Sequence, residues 1–210
     1  MTVSYEGLEI PVLLDGGGHG PLVVLAHGAG SHMEHETILW LASLVREAGG
    51  RVARFNFAYR VLGKGMPDRM PKLIATYQAV VNALPRSGPL VIGGHSMGGR
   101  VASMLLAEKK DAADGLLLFG YPLHPPGQPE KLRDAHLPAI SVPVLQLSGT
   151  EDEFCTRELM ERVALPAGYR VKWIDGADHS YSVKKSSGKT RKDAEAQIVG
   201  ELRTFLSEFA

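Results

Sequence analysis

The chain has 210 residues, 44% apolar and 22% charged, with 23 basic side chains balancing 23 acidic ones. That length suits one domain spanning residues 1–210, and the zero formal charge removes any global attraction to nucleic acid or an anionic membrane surface. No apolar run approaches the roughly 18 residues of a membrane span, MTVSYEGLEIPVLL lacks a signal-like pattern, and the lone Cys155 has no disulfide partner, so a cytoplasmic protein with no nucleic-acid and no membrane partner is expected.

In chain order, VSYEG and EIPVLLDGGG read as a short hairpin, with Gly16, Gly17, Gly18 and Gly20 at its turn. Six strands then follow at 21–26, 51–57, 89–94, 115–120, 142–148 and 169–174. Several are apolar throughout, as burial on both faces of a parallel sheet requires. Helical periodicity fills the gaps at 36–48, 70–84, 96–109, 156–164 and 193–209. In the last segment Ile198, Leu202, Phe205, Leu206 and Phe209 share one face. Strands alternating with helices predict an α/β fold with a mostly parallel twisted sheet of about eight strands and helices on both faces. The basic stretch KKSSGKTRKD at 184–193 reads as a solvated loop feeding the last helix.

At the end of the third apolar run, Gly94, His95, Ser96, Met97 and Gly98 spell G-x-S-x-G. With 13 serines and 24 glycines in 210 residues, chance alone gives roughly 0.17 such matches. The pentapeptide is therefore weak by itself, and a serine opening a helix is often only a cap. Its setting separates the two readings: an apolar strand ends in two glycines, Gly98 and Gly99 open a helix, and a nucleophile elbow needs small residues on both sides of its serine.

A serine hydroxyl is a weak nucleophile and needs a base, an orienting acid and an oxyanion site. In open parallel sheets these come from the carboxyl ends of strands. Past the fifth of the six strands, GTEDEF offers Asp152, with Glu151 as fallback; past the sixth, DGADHSY offers His179, with Asp175 and Asp178 ranked below Asp152 as its partner. The oxyanion donors expected are the backbone N–H of Met97 and one from the glycine-rich AHGAGSH loop, Ala29 rather than Gly30. His32, Glu34, His35 and Glu36 lack H-E-x-x-H spacing, so no metal and no cofactor is expected. Cys155 has no elbow-like setting and reads as a packed residue.

The blocks HGAGSHMEHE, GGHSMGGRVA, FGYPLHPPGQPEKLRDAHL, LSGTEDEF and DGADHSY resemble the α/β-hydrolase superfamily, specifically its small lidless branch related to dienelactone hydrolases. GYPLHPPG with PEKLRDAHL further resembles a subfamily that includes the hydrolase-like domain of a nonspecific-lethal chromatin complex subunit. The resemblance implies a catalytic triad in the order Ser96, Asp152, His179. True dienelactone hydrolases carry cysteine as nucleophile, so their lactonase activity does not transfer to Ser96. About 20 residues separate Gly120 from Val142, too few for a cap domain. An open cleft is expected, with Gly30, His95, Tyr121, Leu123 and His124 in contact with substrate and Tyr59, Arg60 and the 61–70 loop on another side. Arg60 or Arg69 is a candidate for holding an acidic group, against a surface salt bridge. The function expected is a serine hydrolase, monomer or homodimer, cleaving a small-molecule ester or thioester substrate. A non-catalytic interaction domain, an acyltransferase and a peptidase remain open.

Overall fold

Strand residues in the centre of the chain are apolar on consecutive positions because both faces of the sheet they form are covered. In the computed structural model, which describes residues 1–15 and 19–209, the strands are β1 (Thr2–Tyr5), β2 (Leu8–Asp15), β3 (Leu22–Ala26), β4 (Arg51–Phe55), β5 (Leu90–His95), β6 (Gly115–Phe119), β7 (Val144–Gly149) and β8 (Tyr169–Ile174). They lie in one sheet in the order β1-β2-β4-β3-β5-β6-β7-β8. The first two pair antiparallel, as do β2 and β4, and the remaining pairs are parallel. The helices are α1 (Glu36–Glu47), α2 (Ala58–Val61), α3 (Met70–Ala83), α4 (Met97–Glu108), α5 (Arg157–Met160) and α6 (Arg191–Leu206).

Alternate residues of each central strand enter two different cores. Val24, Ala26, Ile92, Leu116 and Leu118 pack with residues of α3 and α4, such as Tyr77 and Leu105. Val23, Leu25, Val91, Leu117 and Phe119 pack with residues of α1 and α6, such as Leu41 and Leu202. This three-layer arrangement is the α/β-hydrolase fold, and no cap domain interrupts it. From β3 the chain crosses first to β4 on one side and then to β5 on the other. The crevice that opens where strand order reverses, at the carboxyl ends of β3 and β5, is the usual ligand position in such sheets. The buried Tyr77 hydroxyl accepts the Gly93 N–H (3.0 Å) and lies 2.7 Å from the Val24 carbonyl, tying α3 to both strands.

Three expectations change. The turn of the first hairpin is Glu6–Gly7, both at positive φ (49° and 75°), a conformation that matches the twist of a two-residue hairpin; Gly16, Gly17 and Gly18 lie outside the described residues, and Gly20 instead meets the Gly49 carbonyl so closely that a Cβ would stand 2.0 Å from its oxygen. The helix expected over 156–164 is the single turn α5, because Leu165 precedes Pro166, which disfavours helical backbone, and the chain turns there to deliver Tyr169 to β8, with the Tyr169 N–H on the Pro166 carbonyl (3.0 Å). The last helix starts two residues early, at Arg191, because Thr190 and Asp193 form a reciprocal capping box.

Candidate active site

Ser96 stands between β5 and α4 with φ +52° and ψ −118°, a conformation a residue with a Cβ adopts only at a cost of roughly 1–3 kcal/mol. Its hydroxyl makes no capping bond to α4, so it does not serve as a helix cap. The flanking glycines have a steric reason. A Cβ on Gly94 would lie 2.5 Å from the Ala26 carbonyl oxygen, and one on Gly98 would lie 2.4 Å from the same atom and 2.8 Å from the His27 carbonyl oxygen. Backbone on both sides leaves no room to yield, so the strand, the turn and the helix come this close only with hydrogen at those positions.

The loops after β7 and β8 are laced together. The Thr150 N–H donates to the Ile174 carbonyl (3.0 Å), the Glu151 N–H to the Ala177 carbonyl (2.9 Å), and the Gly176 N–H to the Thr150 hydroxyl (2.8 Å). Gly149 lies so near that a Cβ would be 2.0 Å from the Ala177 oxygen. This lacing brings the Asp152 carboxylate to His179, with Nδ1 2.9 Å from Oδ2 and 3.0 Å from Oδ1. The Asp152 side chain is fully buried and that of His179 is 20% exposed; the Phe154 N–H donates to Asp152 Oδ1 (2.9 Å). On the other side of the ring, His179 Nε2 is 2.9 Å from Ser96 Oγ. Glu151 is exposed. Asp178 is engaged in its own turn, accepting the N–H groups of Ser180 and Ser182 on Oδ1.

The loop after β3 is held by His27, which is fully buried against Phe57 and Tyr59. Its Nε2 accepts the Phe57 N–H (3.3 Å), which leaves Nδ1–H to donate to the Gly28 carbonyl (2.8 Å). Burial lowers the His27 pKa to about 4 and keeps the ring neutral. The Ser31 N–H reaches the same carbonyl (3.2 Å). In a trans peptide the N–H points opposite the C=O, so the Ala29 N–H is turned away from this anchor, and it meets no acceptor among the described residues. Met97, as the first residue of α4, likewise has no acceptor within the helix for its N–H.

His95 packs beside His179, ring centroids 5.2 Å apart, and its Nε2–H donates to the His179 carbonyl (3.0 Å). Burial lowers its pKa to about 4 as well.

A cavity of about 750 Å³ opens over Ser96. The loop after β3 lines it with Gly30 and Ala29, and Met97, His95, Phe154 and Pro122 complete the floor near the serine. Two of the expected contact residues therefore lie on its wall, Gly30 and His95. The other three do not. Tyr121 is buried, with its hydroxyl on the Arg133 carbonyl (2.6 Å); Leu123 is fully buried in the core; and His124 turns its ring nitrogens to the Pro125 and Glu153 carbonyls (2.7 and 3.0 Å). Gly120, at φ +54°, bends the chain under His179, which directs these side chains inward and leaves Pro122 and Pro126 on the cavity wall. From the 61–70 loop come Pro67, Asp68 and Met70, whereas Arg60 bonds the Lys64 carbonyl at the surface (3.3 Å). Phe154, whose ring lies 4.7 Å from that of His179, Arg100 and Arg133 were not singled out from the sequence. The spacing of Arg100, one helical turn after Ser96, was a signal for it; Phe154 and Arg133 carried none.

Cys155 is buried, its thiol pushed up to about 12 by burial. Among the described residues no group of three or more His, Cys, Asp or Glu side chains is arranged to hold a metal ion, and no helix is long and apolar enough to cross a membrane.

The parallel sheet, the serine on a strained turn at its centre and the absence of a cap define a small lidless α/β-hydrolase. The chain belongs to the family whose model is described as an alpha/beta hydrolase domain, which matches residues 19–207. Among solved structures, it is similar to the Est1E protein of Butyrivibrio proteoclasticus with ferulic acid bound, at a TM-score of 0.74 and 18% identity over 100% of this chain and 98% of that one. A lidless α/β serine hydrolase of Xanthomonas campestris matches at 0.74 and 18%, covering 98% of this chain and 94% of the other. A dienelactone hydrolase from Anabaena variabilis matches at 0.74 and 16%, covering 100% and 96%.

Proposed function

We propose that the protein is a serine hydrolase of carboxylesterase type, cleaving a small ester or thioester through an acyl-enzyme. The observation that carries this reading is the unbroken chain of contacts from Asp152 through His179 to the Ser96 hydroxyl. Ser96 Oγ attacks the carbonyl carbon while its proton passes to His179 Nε2. Asp152 accepts the Nδ1–H, fixing the tautomer and stabilising the imidazolium that forms. The N–H groups of Met97 and Ala29 receive the oxyanion, and pinning of the Gly28 carbonyl by His27 supports Ala29 as the second donor. Collapse of the tetrahedral intermediate breaks the bond to the alkoxide or thiolate, which takes the proton from His179. Water then attacks the acyl-serine by the same steps in reverse.

The substrate is a small molecule, and the protein acts in the cytoplasm as a monomer or homodimer, with neither nucleic acid nor membrane as partner. A fluorophosphonate probe should label the wild-type protein and leave Ser96→Ala unlabelled. Folded wild-type protein that resists the probe would contradict the proposal.

A further inference from the structure

The cavity over Ser96 carries two guanidinium groups that no carboxylate pairs among the described residues. Arg100 and Arg133 both line it. No ion pair involves either among the described residues. Arg100 Nε is buried without any hydrogen-bond partner, and Arg133 has only a long bond to the His124 carbonyl (3.4 Å). Among their polar neighbours, the Tyr121 hydroxyl bonds the Arg133 carbonyl, Ser103 and His136 bond each other (2.8 Å), and the Asp134 carboxylate acts on His136 without forming an ion pair with either arginine. Burial and the Arg100 charge lower the pKa values of both His136 and Arg133. Two like charges held partly out of water beside each other are costly to the free protein, and an anion placed between them relieves both the repulsion and the lost hydration.

The position is tied to the chemistry by helix geometry. The Arg100 N–H donates to the Ser96 carbonyl (3.1 Å), so the two residues are about one turn apart, four steps or about 6 Å along the axis. Helical side chains lean toward the N-terminus, which here carries the Arg100 side chain back toward the serine. Apart from the triad histidine and His95, the other titratable side chains on the cavity are His35 and Asp68. Asp68 is the one carboxylate on the cavity, its Oδ2 buried without a hydrogen-bond partner, and it repels an anion from its own part of the wall.

We propose that Arg100 and Arg133 form an anion subsite, and that the ester or thioester cleaved by Ser96 carries a carboxylate or phosphate about one helical turn from its scissile carbonyl. The inference rests on the serine hydrolase reading for the chemistry and on the paired guanidiniums for the anion, whose planar forks suit either oxyanion.

Ser96→Ala protein separates binding from turnover. Titrated by calorimetry, it should bind monoethyl adipate at least about tenfold more tightly than ethyl hexanoate, which has an acyl chain of equal length and no charge. Wild-type protein should show the same preference in kcat/KM. A second pair, 2-acetoxyethyl phosphate against butyl acetate, distinguishes phosphate from carboxylate and places the anion on the alcohol side. In an Arg133→Gln background, and separately with Arg100→Gln, each preference should fall at least fivefold. Arg133→Gln is the safer variant for folding, because it loses a single long bond. Equal binding of charged and neutral partners in both pairs overturns the subsite, as does a preference that survives both substitutions. Failure of the fluorophosphonate to label Ser96, with the anion preference intact in Ser96→Ala, removes the hydrolase reading and leaves the subsite standing.

Discussion

Mild acid should destabilise this protein well before its carboxylates titrate, because three histidines are held in neutral form. His27 is fully buried, His95 is 9% exposed and His136 is half-buried, and burial, joined at His136 by the Arg100 charge, moves each from 6.5 to about 4. An unfolded histidine binds its proton near 6.5, so between about pH 6.5 and 4 the unfolded state holds more protons than the folded one. Stability is therefore full above 6.5, falls as pH drops through this window, and stops falling from this cause below about 4. At pH 5 the linkage for one such group is about 1.36 × log[(1 + 10^1.5)/(1 + 10^−1)], or about 2 kcal/mol, and about 6 kcal/mol for the three. With a urea m-value of about 2 kcal/mol/M, the midpoint should move down by about 3 M between pH 7.5 and pH 5. Near pH 5 each ring accounts for about 0.9 proton of difference, so His95→Gln should remove about a third of the pH dependence while its amide still reaches the His179 carbonyl. A midpoint that shifts by less than about 0.5 M, or a slope unchanged in His95→Gln, would refute the assignment of these rings as neutral and buried.

Two further outcomes test the site itself. His27→Leu removes the anchor on the Gly28 carbonyl, so kcat should fall by about 10²-fold or more, the usual effect of losing one oxyanion donor, while KM for a neutral ester changes by less than about threefold; an equal loss in both would assign His27 to binding or folding instead. Ser96→Gly relieves the strain at φ +52° that Ser96→Ala retains, so thermal or urea unfolding should find the glycine variant more stable than the alanine variant by about 1 kcal/mol.

Much of the fold was readable because the central strands are apolar on consecutive positions, a pattern that follows from two cores. Val23 and Val24 are both buried, one toward α1 and α6, the other toward α3 and α4. Where burial is one-sided or the element is short, the sequence carried less. α2 is a single turn whose N-cap residue, Phe57, makes no side-chain capping bond, and it left no periodic mark. The helix expected after Thr156 failed because apolar residues at Met160 and Val163 suit a helix and a buried turn equally, and only the proline at 166 distinguishes them. The hairpin turn was sought in the glycine-rich run at 16–20, whereas Glu6–Gly7 provides it with one glycine and a glutamate at positive φ.

Ser96, Asp152 and His179 were legible for a different reason from the cavity walls. Each leaves the carboxyl end of a particular strand by one to five residues, and two of the three exits pass under another backbone, so glycine marks them: Gly94 and Gly98 beneath Ala26, and Gly149 beneath Ala177. Wall residues obey no such constraint. Tyr121, Leu123 and His124 sit on a loop whose backbone bend at Gly120 decides which side chains face inward, and sequence spacing does not encode that bend. Arg133 reaches the cavity from a segment 37 positions beyond Ser96, placed there by loop packing, with its N–H on the Leu123 carbonyl (2.7 Å). The geometry of the proposed triad thus leaves its trace in the glycines that permit it, whereas the cavity walls are set by side chains whose direction only the folded loops determine. The charge on Arg100 and Arg133 is where those walls are open to measurement.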